Sequence, residues 1–124
     1  MSIQTTEGLT KHGPPAEAHI QAIMQEFNIT RSQLLGPLKD HRFMPARQEL
    51  YVRLLCDPFR WVNGEPVYRS LPQVGKIVGK RDHTTVLYGL RRYAVRNLNL
   101  RAKPSVAEIR EAVHALDGVL EAAA

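Results

Sequence analysis

Apolar residues recur at three- and four-residue steps along much of the chain, the period at which an α-helix returns one face to a core. From Ala16 to Phe27 the set Ile20, Ile23, Met24 and Phe27 predicts an amphipathic helix, with Asn28 suited to its end. Thr30 followed by Gln33 fits a capping box that opens a short helix through Leu34 and Leu35, stopped by Gly36 and Pro37. Pro45, tolerated in a first turn, introduces a helix from about Ala46 to Cys56 whose apolar residues are Leu50, Tyr51, Leu54 and Leu55. Ser70 and Gln73 form a second capping box, on a helix that runs to about Val78, where Gly79 can take the left-handed conformation that ends it. Asp82 caps the next helix, with Val86, Leu87, Leu90, Tyr93 and Ala94 on one side and Arg91, Arg92 and Arg96 as solvated charges on the rest. Ser105 and Glu108 repeat the box ahead of a last helix carrying Val106, Ile109, Val113, Leu116 and Leu120.

Two stretches break the helical period. Residues 1–15 are polar, contain Gly8, Gly13, Pro14 and Pro15, and are expected to form a flexible lead-in. Asp57 and Pro58 interrupt the pattern, and the segment that follows holds Phe59, Trp61, Val62, an Asn63–Gly64 turn signal, Val67 and Tyr68. An irregular or hairpin-like insertion over about 57–69 is therefore predicted. The fold class is all-α: a small helical bundle over 16–103 with that insertion, extended by an extra C-terminal helix over 104–124.

Composition narrows the function. At 124 residues, 44% hydrophobic and 23% charged, the chain can bury a modest core but is too short for a Rossmann enzyme or a barrel. Lys and Arg outnumber Asp and Glu by 17 to 12. The excess is concentrated: residues 39–103 hold 14 basic residues against five acidic ones, whereas both flanks are slightly acidic. An anionic partner is thus expected to meet the middle of the chain. Cys56 stands alone, so no disulfide framework or multi-thiolate metal site arises, and it reads as a small buried hydrophobe. With no apolar run of membrane-spanning length and no signal-like start, a cytoplasmic location is expected and no membrane partner. His12, His19, His41, His83 and His114 lack partners at ligand or general-base spacing, so no catalytic residue, metal or cofactor is assigned. Trp61 reads as an anchor of the insertion.

A short helix, a tight turn at Gly79 and a helix opening on polar and basic side chains is the layout of a helix-turn-helix, whose second helix enters the major groove. The chemistry of its leading turn suits base edges. Arg81 can donate a bidentate pair to guanine, Asp82 can accept from the cytosine amino group, and the methyls of Thr84 and Thr85 can pack on thymine. Lys76 and Lys80 flank the turn.

The run from Ser70 to Leu87, SLPQVGKIVGKRDHTTVL, resembles the C-terminal DNA-binding domain of the DnaA family of bacterial chromosomal replication initiators. Phe27 onward, FNITRSQLLG, and the triplet Ala46, Arg47, Gln48 extend the resemblance over about residues 16–97. It implies an all-helical domain that recognises double-stranded DNA at a short asymmetric box with a TT-rich half and a CACA half. Arg81, Asp82, His83, Thr84 and Thr85 would face bases and phosphates in the major groove, Arg47 and Gln48 would contact DNA nearby, and Lys39 and Arg42 would lie on a loop reaching the minor groove. That loop departs from the family pattern in carrying Asp40. No Gly-x4-Gly-Lys-Ser/Thr pattern occurs, so a free-standing domain without the ATPase part or a bound nucleotide is expected. The reading is a nucleoid-associated DNA-binding module acting in replication control or transcription regulation. The alternative is an adaptor that keeps the helical scaffold and takes a protein partner at residues 59–68 or the C-terminal helix.

Overall fold

A single helix organises the protein. In the computed structural model, which describes residues 10–123, β1 (Thr10–His12) precedes α1 (Ala16–Phe27), α2 (Arg31–Leu35) and a 3-10 turn over His41–Phe43. The central helix α3 (Met44–Cys56) follows, then β2 (Arg60–Val62), β3 (Glu65–Val67), α4 (Leu71–Ile77), α5 (His83–Asn97) and α6 (Val106–Ala123). The architecture is mainly helical with one small sheet.

α3 is buried nearly all round, through Ala46, Leu50, Tyr51, Val52, Leu54, Leu55 and Cys56, because α1, α4, α5 and α6 all pack against it. Each neighbour contributes the apolar stripe that its period predicts: Ile20 and Ile23 from α1, Val74 and Val78 from α4 and its end, Val86, Leu90 and Ala94 from α5, and Ile109 from α6. Gly89 lets α5 come close, since a Cβ there would sit 2.8 Å from the Tyr51 ring. Local signals set the ends of the helices. Thr30 with Gln33 and Ser70 with Gln73 form complete capping boxes, and Asn28 closes α1 in the left-handed region at φ 50°.

The hairpin forms around Asn63 and Gly64, whose φ angles of 53° and 81° suit a tight two-residue turn. Arg60 pairs with Val67 and Val62 with Glu65. The flexible lead-in expected over residues 1–15 requires correction within the described part. Thr10–His12 adds a third antiparallel strand, Thr10 opposite Val62 and His12 opposite Arg60, and the Gly13 amide donates to the Phe59 carbonyl at 2.9 Å. Three exposed residues carry no readable period; pairing with the open edge of β2 is what orders them. Residues 1–9 lie outside the described ones. The stripe predicted for the last helix also departs from expectation: Ile109 is fully buried, but Leu116 is 49% exposed because α6 outruns the core, and the Leu120 side chain lies outside those described.

The last carbonyls of α3 would go unpaired inside the protein, and side chains distant in sequence satisfy them. An Arg69 terminal nitrogen donates to Leu54 at 3.4 Å, Arg110 Nε to Leu55 at 3.0 Å, and His114 Nε2 to Cys56 at 2.8 Å. Arg110 and His114 thereby tie α6 to the core. Among the described residues no helix is long and apolar enough to cross a membrane, and no group of three His, Cys, Asp or Glu is placed to hold a metal ion.

Truncating Leu54, which is fully buried at the centre of this packing, is expected to cost about 2–5 kcal/mol of stability in urea unfolding. Burial also pushes the Cys56 thiol up to about 12. A thiol reagent at pH 8 should label the native protein far more slowly than the urea-unfolded chain, and equal rates would show that Cys56 is accessible.

Candidate nucleic-acid interface

α4 and α5 meet at a corner shaped by three close backbone approaches. The Arg81 amide donates to the Gly75 carbonyl at 2.8 Å, and a Cβ on Gly75 would collide with the Arg81 carbonyl oxygen. Gly79 adopts φ 93°, and a Cβ there would collide with the Leu35 carbonyl oxygen. Lys80 follows in the left-handed region at φ 58°. The chain then leaves the corner directly into the first turn of α5.

Asp82 caps that turn. Its Oδ1 accepts from the Thr84 amide at 2.9 Å and the Thr84 hydroxyl at 3.1 Å, bonds that hold its carboxyl below the usual carboxylate range. His83 Nδ1 lies 3.1 Å from the same oxygen. Asp82, His83, Thr84 and Thr85 are all exposed, while Val86 turns inward and is fully buried. The helix N-terminus therefore presents a row of hydrogen-bonding groups and methyls to solvent, with Lys76 and Lys80 exposed beside it.

Two of the three arginines of the predicted set face inward. Arg81 is half-buried and donates to the Val78 carbonyl and, at 2.8 Å, to the Gly36 carbonyl. Arg47 is only 3% exposed. Its Nε donates to Leu34 at 3.1 Å, and its terminal nitrogens donate to Leu38 at 2.7 Å, Gln33 at 2.8 Å and Gly36 at 3.2 Å. Four of its five N–H groups are thus committed to backbone. Burial, then the neighbouring Arg81 charge, lowers its pKa. Gln48 is buried and its Oε1 accepts from Arg96 at 2.8 Å.

Lys39 is exposed on the loop before α3, and Arg42 is paired. Asp40 accepts from the Arg42 amide at 2.9 Å and from its guanidinium at 2.7–3.2 Å. The guanidinium bonds above all hold the Asp40 carboxyl down to about 2. Between this loop and α5 runs a cleft of about 950 Å³, lined by Lys39, His41, Arg47, Arg81, Arg92 and Arg96 with no carboxylate among its lining residues. Lys39, Arg47, Gln48, Arg81 and Thr85 meet there, whereas Arg42, Lys76, Lys80, Asp82, His83 and Thr84 do not line it. The cleft adds Tyr88, Arg92 and Arg96, which the motif does not mark. Tyr88 is 63% exposed, with the Arg92 guanidinium 5.6 Å from its ring centre and donating to its hydroxyl at 3.1 Å. Their sequence signal is the helical step from Thr85 through Tyr88 and Arg92 to Arg96, which extends the exposed face of the first turn.

Among curated proteins, the chain is 31% identical over 100 residues to the chromosomal replication initiator protein DnaA of Corynebacterium jeikeium, matching 74% of this chain and 16% of that protein. The chain carries a DnaA-like domain. DnaA of Brucella abortus is 30% identical over 89 residues, covering 68% of this chain and 16% of its own length, and DnaA of Chloroflexus aurantiacus is 31% identical over 104 residues, covering 83% and 20%. The DnaA-like chain thus spans less than a quarter of the length of these relatives. No family model and no solved structure matches it.

Asp40 gives the loop before α3 a testable electrostatic signature. Its folded pKa lies below the ordinary 3.8, so the pair with Arg42 is fully present above about pH 4 and is lost as pH falls through about 2. A carboxyl-carbon NMR titration of Asp40 should find its midpoint near 2; a midpoint at 3.8 would mean that Arg42 is free.

Proposed function

We propose that the domain binds double-stranded DNA sequence-specifically, with α4, its turn and α5 acting as a helix-turn-helix and the first turn of α5 lying in the major groove. The observation that carries this reading is the exposed row Asp82, His83, Thr84 and Thr85 on that turn, set beside a cationic cleft free of carboxylates. The similarity to DnaA, a chromosomal replication initiator by name, supports the same partner and a role in replication initiation, at sites like the DnaA box.

In this reading the base edges meet Asp82, Thr84 and Thr85, while Arg81, engaged by the Val78 and Gly36 carbonyls, supports the turn from behind. His83, Lys76 and Lys80 face phosphates, and the positive end of the α5 dipole adds to their field. One phosphodiester strand runs along the cleft past Lys39, Tyr88 and Arg92. Gln48 and Arg47 lie at its floor, Gln48 holding Arg96 and Arg47 holding the loop that carries Lys39 and Arg42 toward the minor groove. Affinity then comes mainly from neutralised phosphates and is strongly salt-dependent, while base choice resides in the α5 turn. Binding of this kind serves replication control or the regulation of nearby transcription.

Asp82→Asn tests base reading without removing the helix cap, because asparagine caps as well as aspartate. On a duplex carrying the preferred box, anisotropy titration should show a loss of about 1–3 kcal/mol, and a much smaller change on a scrambled duplex. Equal losses on both would overturn base reading. Lys39→Ala should instead weaken both duplexes alike and reduce the slope of log K against log salt by about one.

A further inference from the structure

The two segments assigned to DNA above, the loop through Lys39 and Arg42 and the corner through Lys80 to Thr85, belong to separate parts of the chain. One backbone atom joins them. The Gly36 carbonyl oxygen accepts from Arg81, which belongs to the corner, at 2.8 Å and from Arg47, at the start of α3, at 3.2 Å. Around that oxygen, Arg81 also donates to Val78, Arg47 also donates to Leu38, the residue before Lys39, and Gly79 lies against the Leu35 carbonyl. The carbonyl has two lone pairs, so both donors are accommodated; the planar fork of Arg81 spans two acceptors and that of Arg47 spans four.

We propose that Arg81 and Arg47 form a clamp on the Gly36 carbonyl that fixes the loop 36–42 against the α4–α5 corner, so that the two segments engage duplex DNA as one rigid unit. Arg81 is then a positioning residue for Lys39 as well as the start of the reading turn. The proposal rests on the DNA-binding reading, but the clamp itself exists without DNA and can be measured in its absence. A rigid pair loses little freedom on binding, so both segments contribute their full contact energy together; a loose pair contributes them independently.

Arg81→Lys keeps the charge but cannot bridge Val78 and Gly36. In the free protein it should speed amide hydrogen exchange at Arg42 and Phe43, whose amides are bonded to Asp40, by about tenfold, the mark of local opening in that loop alone. Gly79→Ala keeps both arginines but presses on the Leu35 carbonyl and on the Arg81 guanidinium, and should loosen the same amides. On the box duplex, Lys39→Ala is expected to weaken binding about three- to tenfold in the native background and less than about twofold in the Arg81→Lys background. Unchanged exchange in both variants overturns the clamp. Faster exchange together with Lys39 losses that simply multiply overturns the coupling. A native protein that does not distinguish the box from a scrambled duplex overturns the DNA reading and the coupling with it, and the exchange data then still decide whether the clamp holds the loop.

Discussion

The unpaired carbonyls at helix ends are the constraint around which this domain is arranged. α2 is too short to satisfy its own acceptors, and the chain leaving it turns sharply through Gly36 and Pro37. Arg47 supplies the missing donors from inside the protein. Burying a guanidinium is unfavourable, and the cost is offset only when its N–H groups find acceptors; four carbonyls do this here. In return the end of α2 and the chain as far as Leu38 are tied together through these carbonyls. The same logic closes the other end of α3, where Arg69, Arg110 and His114 reach its final carbonyls. The central helix therefore supplies an arginine to distant carbonyls near its start and receives distant charged or polar side chains at its end, and the apolar packing fills the space between.

These interactions explain which parts of the structure are readable from residues alone. Capping boxes at Thr30, Ser70 and Ser105, the left-handed Asn28 and the Asn63–Gly64 turn each depend on neighbours within a few positions, so the signal and its consequence lie in one window. The helical stripes are legible for the same reason. β1 is not, because three polar residues acquire strand structure only from an edge that forms some 50 positions away. The inward course of Arg47 is equally hidden, since an arginine on a helix reads as a solvated charge until the α2 carbonyls are known to lie opposite it. At the candidate site, the Asp82 to Thr85 row is plain from its motif. The cleft that extends it needs the orientation of α5 against α3, which Gly89 and Tyr51 set by contact.

Charge placement follows from the same geometry. Several carboxylates are drawn into pairs: Glu17 with Arg31 at 2.7 Å, Glu26 with Arg53 at 2.6 Å, and Asp40 with Arg42 at 2.7 Å. Such exposed pairs contribute little stability, but they settle where uncompensated charge remains. Lys39, His41, Arg92 and Arg96 line a cleft into which no acid projects. Part of the basic excess of residues 39–103 is thus gathered along this cleft, an arrangement that draws in a polyanion at a rate sensitive to ionic strength.

Rigidity at the corner links these observations to recognition. Lys80 occupies a backbone region that costs a non-glycine residue about 1 kcal/mol or more. A position of this kind persists only where the surroundings over-determine it, and here Gly75 and Gly79 let three stretches of backbone touch within a few residues. The side chains that follow are consequently presented on a fixed frame: Asp82 is held by Thr84, Val86 is sealed in the core, and Thr85 opens on the cleft. A surface ordered in advance spends little conformational freedom when a partner arrives, so small differences in hydrogen bonding at each base are not blurred by rearrangement. On the proposed DNA-binding reading, selectivity is therefore built as much by the carbonyl contacts behind the corner as by the groups in front of it.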